Sequence, residues 1–377
     1  MDIPFNKPYF SGNEFVYMKD ALNRGKISGD GFYSKKVHEF MESNFKTEKA
    51  LFVTSCTAAL DMSAILIDLK PGDEVIMPSY TFVSSANAIL LRNAKIIFAE
   101  IESDTLNIDP GDIINKITDQ TKAIYPVHYA GVSCKMDDIQ KIADKHNLII
   151  VEDAAQGVNA KYKNKYLGTI GSIGCYSFHE TKNYICGEGG AILINKKKYI
   201  ERAEIVREKG TNRNKFFRGE IDKYTWVDIG SSYIGSDLLA AYLWAQFENL
   251  DEIQLRRKKI YIRYYNGLTD LAEKGLIRLP TIPSYSESNY HMFYIILKDE
   301  LLRNKLLKRL KQLKINAVFH YIPLHLSPIG LKLGYNKGDF PLTEDLSNRI
   351  VRLPMYYELS DSEIDYIIKK IKEILLP

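Results

Sequence analysis

Between Leu51 and Asn195 short apolar runs alternate with stretches of helical spacing, and that alternation restricts the fold more than any other feature of the chain. Glu74-Val75-Ile76-Met77-Pro78, Lys95-Ile96-Ile97-Phe98-Ala99, Ala123-Ile124-Tyr125-Pro126-Val127 and Leu148-Ile149-Ile150-Val151 read as buried strands. Ser84 to Leu91 and Met136 to His146 carry helical spacing between them. Ile173 to Phe178 and Ala191 to Ile194 add two further strands. Strand and helix in alternation predict an α/β fold with a doubly wound, mostly parallel sheet, whose ligand lies at the C-terminal ends of the strands.

At 377 residues the chain exceeds what one small core usually holds, so two subdomains are expected. After about Trp244 the texture changes. Asp251 to Leu271 reads as one long, charge-rich connector helix, followed by a strand at Met292 to Leu297, a basic amphipathic helix at Glu300 to Leu313 and a strand at Ala317 to Tyr321. Ser360-Asp361-Ser362-Glu363 forms a capping box that opens a last helix running towards Leu375. The division falls near residue 246, with a large domain over 1–245 and a smaller C-terminal α/β domain over 246–377.

Composition excludes several classes of function. The 51 basic and 47 acidic side chains leave a net charge of +4 spread over a large surface, which argues against a dedicated nucleic-acid binder. Cys56, Cys134, Cys175 and Cys186 show no CxxC spacing and no histidine pairing of the kind zinc needs, so no metal is expected and a reducing cytoplasm suits them best. Met1 to Gly12 has no apolar core of a signal peptide, and no stretch approaches the ~20 apolar residues of a membrane span. Neither export nor membrane insertion is expected.

The chemistry centres on Lys182, which lies in Ser177-Phe178-His179-Glu180-Thr181-Lys182 ahead of Gly187-Glu188-Gly189-Gly190. Asp153 stands upstream at the end of an apolar strand. A strand-end aspartate followed, one strand-turn-strand unit later, by a lysine in a small-residue loop is what a pyridoxal phosphate enzyme needs. The lysine holds the aldehyde as a Schiff base, and the aspartate keeps the pyridine nitrogen protonated. Such a lysine must be a neutral amine, so its surroundings have to lower a reference pKa of about 10.4.

Other residues fit around this pair. Ser55-Cys56-Thr57-Ala58-Ala59-Leu60 puts small residues at a helix start, where free N–H groups close on a phosphate, although the loop taken alone reads more readily as a plain N-cap by Ser55 or Thr57. Gln156, one turn beyond Asp153, falls near the ring's phenolic oxygen. Phe82 follows a strand end, where it either stacks on the ring or packs in the core. His320, Tyr321 and His325, in Phe319-His320-Tyr321-Ile322-Pro323-Leu324-His325, form the densest polar aromatic group of the smaller domain. They are either satisfied core residues or, at a domain cleft, substrate contacts.

In combination, Gly29-Asp30-Gly31, Thr54 to Leu60, Gly72-Asp73-Glu74-Val75-Ile76, Glu152 to Gly157, Ser177 to Lys182, Gly187 to Gly190 and His320 to His325 resemble the DegT/DnrJ/EryC/StrS sugar aminotransferases over essentially the whole chain. The resemblance implies a fold-type-I pyridoxal phosphate homodimer with active sites at the subunit interface. It also implies residue roles: Lys182 holds the coenzyme aldehyde, Asp153 and Gln156 meet the ring, Thr57, Ala58 and Ser177 the phosphate, and Phe82 stacks over the ring.

His179 with Gly187 to Gly190, and the longer stretches Pro126 to Gly131, Arg207 to Arg213 and Lys223 to Trp226, resemble the branch that aminates C4 of the sugar. That branch transfers the amino group of L-glutamate to dTDP-4-dehydro-6-deoxy-D-glucose, giving dTDP-4-amino-4,6-dideoxy-D-galactose for surface glycans. His179, His320, Tyr321 and His325 are the expected substrate contacts. One departure concerns a Gly-x-Asn-x-Arg-type segment that relatives supply from the neighbouring subunit. This chain reads Gly230-Ser231-Ser232-Tyr233-Ile234-Gly235 there, so Ser232 would make the phosphate contact with a shorter reach. Relatives with histidine at the aldehyde-binding position dehydrate their substrates, and Lys182 argues against that activity. Two alternatives stand beside this reading: an aminotransferase for 3-keto sugar nucleotides, and a non-catalytic sugar-nucleotide sensor on the same fold.

Overall fold

The computed structural model describes residues 2–376. Seven strands form the central sheet: β1 (Lys49–Val53), β2 (Glu74–Pro78), β3 (Lys95–Ala99), β4 (Thr121–Ile124), β5 (Ile149–Asp153), β6 (Ile173–Ser177) and β7 (Gly190–Ile194). Their order is β1-β7-β6-β5-β4-β2-β3, as a doubly wound sheet requires. All pairings are parallel except the two made by β7, which runs against β6 and β1. Residues 178–189 connect β6 to β7, and the loop closes on the pair Ser177↔Gly190. The lysine segment therefore emerges at the C-terminal end of β6, beside Asp153, which pairs with Cys175.

Both faces of the sheet are covered, which is why its strands read as unbroken apolar runs. Alternation along each strand sends Ile76, Ile124, Ile150 and Leu193 into one buried cluster, and Val75, Met77, Val151 and Ile192 into another. Two helices position the site: α1 (Cys56–Leu66) follows β1, and α2 (Val83–Leu90) follows β2. The predicted strand Ala123 to Val127 stops at Ile124, and Val127 makes only an isolated bridge to Asp153. Pro126, which has no N–H to give, sits at the break.

A third cluster holds the C-terminal part of the chain together. Helix α3 (Leu250–Glu273) places Leu250 and Ile253 against the first cluster, and Ile260, Tyr264 and Leu268 in the third. Strands β8 (Phe293–Leu297) and β9 (Ile350–Leu353) pair antiparallel, and the last helix (Asp361–Leu375) begins at the expected capping box, with Ser360 and Glu363 bonded reciprocally. Ile3, from the other end of the sequence, is buried in this cluster and bridges to Ile315. The expected strand Ala317 to Tyr321 does not form. Only Val318 bridges, to Arg352, because the following residues turn away to make contacts with the loop after β2. A fourth cluster, which includes Tyr80, Tyr129, Tyr294 and Ile350, seals the seam beside that turn. All four cysteines are free and buried. Among the described residues no helix is long and apolar enough to cross a membrane.

Candidate active site

Lys182 and Asp153 line one cavity of about 320 Å³. Asp153 ends β5 and is almost fully buried. Ser85 Oγ donates to its Oδ2 at 2.5 Å, and the Ala155 amide donates to its Oδ1 at 3.1 Å. Both carboxylate oxygens thus meet a donor.

The lysine loop is held at its base by Phe178 N to Gly189 O and Cys186 N to Phe178 O, both at 2.8 Å, and Lys182 N donates to His179 O at 2.9 Å. Gly187 turns the loop at φ +81°, a conformation that L side chains rarely adopt. Burial of the amine pushes Lys182 below the usual lysine range; Cys56 and Asp153 act the other way, and the Arg352 cation adds to the depression. The environment thus favours the neutral amine that nucleophilic chemistry requires.

The N-terminus of α1 also lines the cavity. Ser55 caps it by accepting from the Ala58 amide at 3.0 Å, which leaves the amides of Cys56 and Thr57 without an acceptor among the described residues. Thr57 Oγ1 lies 2.8 Å from Ser84 Oγ. Thr57, Ser84 and Ser177 all line the cavity. Gly190 is obligatory here, because a Cβ would meet the backbone of Ser55 at 2.3 Å and of Cys56 at 2.4 Å. Orphan amides and hydroxyls at a helix start suit a phosphate, and the buried carboxylate on the same lining suits a protonated ring nitrogen. The residues present therefore fit pyridoxal phosphate.

Most of the residues singled out from the sequence meet at this cavity. Phe82, 58% exposed, stands at its edge with its ring centroid 6.4 Å from that of Tyr321, so it is not a core phenylalanine. Gln156 accepts from the Ala130 amide at 2.7 Å and donates to Tyr321 OH at 3.2 Å. His320 Nδ1 meets Tyr129 OH at 3.0 Å, and its ring is held neutral by burial, with Arg352 and Lys182 acting in the same direction. His179 is partly exposed on the lining, with Nδ1 2.9 Å from Thr181 Oγ1.

Three expected residues fall outside. Ala58 does not line the cavity, and its amide is taken by Ser55. His325 is fully buried away from the cavity, with Nδ1 2.6 Å from Ser79 Oγ and Nε2 3.1 Å from Glu344 Oε1. Neither ring nitrogen is free for a substrate. His325→Ala should therefore cost stability, about 1–3 kcal/mol for each buried partner it orphans, and leave the substrate KM of the folded enzyme near wild type. Denaturant titration alongside steady-state kinetics checks this, and a KM effect without loss of stability contradicts it. Ser232 lines a second cavity, of about 740 Å³, together with Asp30 and Arg207.

Sequence reasoning missed Ser85, His291 and Arg352. His291 lines the cavity, with Nδ1 2.9 Å from Asn183 Oδ1, and burial followed by the Lys182 charge keeps its ring neutral. Arg352 projects from β9 with its guanidinium 4.7 Å from the ring centroid of Phe5, and its buried Nε has no acceptor among the described residues. The one available signal was an arginine inside the apolar run Ile350-Val351-Arg352-Leu353.

Comparison with known proteins agrees with this geometry. The sequence model of the DegT/DnrJ/EryC1/StrS aminotransferase family matches residues 9–372. The spore coat polysaccharide biosynthesis protein SpsC of Bacillus subtilis is 32% identical over 386 residues, spanning 99% of this chain and 97% of the relative. GDP-perosamine synthase of Escherichia coli O157:H7 is 32% identical over 380 residues, spanning 98% of both. Among solved structures, the Streptococcus pneumoniae protein Spr1654, described as a sugar aminotransferase, superposes in its PLP form with a TM-score of 0.91 at 26% identity, covering 99% of this chain and 98% of its own.

Proposed function

The chain belongs to the DegT/DnrJ/EryC1/StrS aminotransferase family and is a pyridoxal phosphate-dependent sugar aminotransferase, and we propose that its substrate is dTDP-4-dehydro-6-deoxy-D-glucose. In this reading L-glutamate donates the amino group to C4 and the product is dTDP-4-amino-4,6-dideoxy-D-galactose, made in the cytoplasm for a surface glycan. The observation that carries the residue assignment is the convergence of Lys182 and Asp153 on one cavity that a hydroxyl-lined helix start also lines.

When bound, pyridoxal phosphate supplies an aldehyde that an amine can engage and a ring that takes up electrons. Lys182 would hold the coenzyme's aldehyde through its amine and, when free, would serve as the acid–base group that moves the proton at the substrate carbon. Asp153 would pair with the ring nitrogen, Gln156 would meet the ring's oxygen, Phe82 would cover one face, and Thr57 with Ser177 and the Cys56 and Thr57 amides would receive the phosphate. Arg352, a cation without a carboxylate partner among the described residues, supports an acidic amino donor, whose carboxylate it would pair with. His179, His320 and Tyr321 then face the sugar.

The reading includes a homodimer in which Ser232 reaches the neighbouring subunit's phosphate site. It also places the domain division near residue 246, shortly before the connector helix, along which packing passes from the first cluster to the third.

Because the neutral amine of Lys182 is the reactive form, the rate at which coenzyme-free protein captures pyridoxal phosphate should rise with pH and level off above the amine's pKa. The inflection is expected below the ~10.4 of an ordinary lysine, since burial lowers it. Stopped-flow absorbance against pH measures it, and an inflection at the ordinary value contradicts the assignment.

The substrate is tested by incubating the protein with the 4-keto sugar nucleotide, L-glutamate and coenzyme, with a 3-keto isomer offered in competition, and identifying the products by NMR. Amination at C4 with the galacto configuration is expected. Preferential amination of the 3-keto sugar would replace the proposed substrate, and no aminated sugar from either would remove it.

A further inference from the structure

Two consecutive serines in the first turn of α2 meet two different residues of the cavity lining. Ser84 Oγ lies 2.8 Å from Thr57 Oγ1, in the first turn of α1. Ser85 Oγ donates to Asp153 Oδ2 at 2.5 Å. A serine in a helix usually satisfies its hydroxyl on nearby backbone. Ser85, fully buried, instead directs its proton to a carboxylate 68 residues away in sequence. The Ala155 amide holds the other oxygen, so donors from two separate chain segments fix the plane of the carboxylate.

Resting on the reading of this cavity as the coenzyme site, we infer that Ser85 is a positioning residue whose hydroxyl orients Asp153 and keeps the proton of the aspartate–pyridine pair on the ring nitrogen. The physical reason is one of relative basicity. A short hydrogen bond from a neutral hydroxyl stabilises the charged carboxylate more than its protonated form. Without it the buried Asp153 has one polar partner fewer, and taking the ring proton becomes its way of shedding an undersolvated charge. Ser85 does not touch the reacting atoms. It acts through Asp153, and its effect reaches the chemistry as a change in how well the ring can take up electrons.

The test compares wild type, Ser85→Ala and Ser85→Thr, each loaded with pyridoxal phosphate whose ring nitrogen is isotope-labelled. The NMR shift of that nitrogen reports its protonation, and the single-turnover rate with L-glutamate reports the consequence. Ser85→Ala should move the shift towards the unprotonated value and slow the half-reaction by about tenfold, the scale of one hydrogen bond to a charged group. Ser85→Thr, which keeps the hydroxyl, should restore both. A wild-type shift and rate in Ser85→Ala overturn the inference, as does a threonine variant impaired as badly as the alanine one. Should Ser85→Ala fail to fold, Ser85→Cys, a far weaker donor of similar size, carries the same comparison with the same two outcomes. A wild-type protein that binds no coenzyme, or binds it with an unprotonated ring, defeats the reading of the site itself, and so the two failures are told apart.

Discussion

Lys182→Ala is expected to lower turnover by at least about 10⁴-fold, the upper range for a positioned acid–base group, because one amine both anchors the coenzyme and moves the proton. The variant should still fold, since the Lys182 side chain makes no hydrogen bond or ion pair among the described residues that its loss would break, and its backbone amide still bonds His179 O. Coenzyme should still enter the cavity through its phosphate, ring oxygen and ring nitrogen contacts, without covalent attachment. Steady-state kinetics with the sugar nucleotide and L-glutamate, run beside circular dichroism, check both halves of this expectation. Turnover within tenfold of wild type in a folded Lys182→Ala protein would show that another group does the work.

Asp153→Asn is expected to separate binding from chemistry. Asparagine is nearly isosteric, and its Oδ1 can still accept from Ala155, but it has no negative charge with which to hold a proton on the pyridine nitrogen. Coenzyme affinity should fall only modestly, whereas turnover should fall by about 10²–10⁴-fold, the range for a misplaced proton. Spectral titration of the coenzyme and single-turnover kinetics measure the two effects separately. Near-wild-type turnover with coenzyme bound contradicts the role assigned to Asp153, and so does loss of binding in proportion to turnover.

How far the sequence disclosed this arrangement depends on the range of the interactions involved. Strands β2 and β3 and the helix at Met136–His146 occur at the residues expected, because a run apolar on both faces, or a clean helical spacing, carries its own packing instructions. Lys182 and Asp153 were legible for a related reason. Both sit within one strand-turn-strand unit, so local order alone brings them to the same end of the sheet.

The parts that escaped depend on distant partners. Ala317 to Tyr321 has the apolar and aromatic texture of a strand, yet Asn316 bonds Ile3 O and the Tyr80 hydroxyl claims the His320 carbonyl. Those contacts turn the segment out of the sheet. His325 looked like a companion of His320 because five positions separate them, but the intervening turn at Pro323 sends one ring to the cavity and the other to Ser79 and Glu344. Ser85 looked like any helix serine until its partner across the sheet was visible. Arg352 depends on Phe5, from the opposite end of the chain, which lies against its guanidinium and leaves no local trace in the sequence around it.

The most direct measurement is to load the protein with pyridoxal phosphate, reduce it with borohydride, digest it and locate the fixed coenzyme by mass spectrometry. The account predicts a single modified peptide with the label on Lys182. A label on any other lysine, or none from protein that is yellow and active, contradicts it.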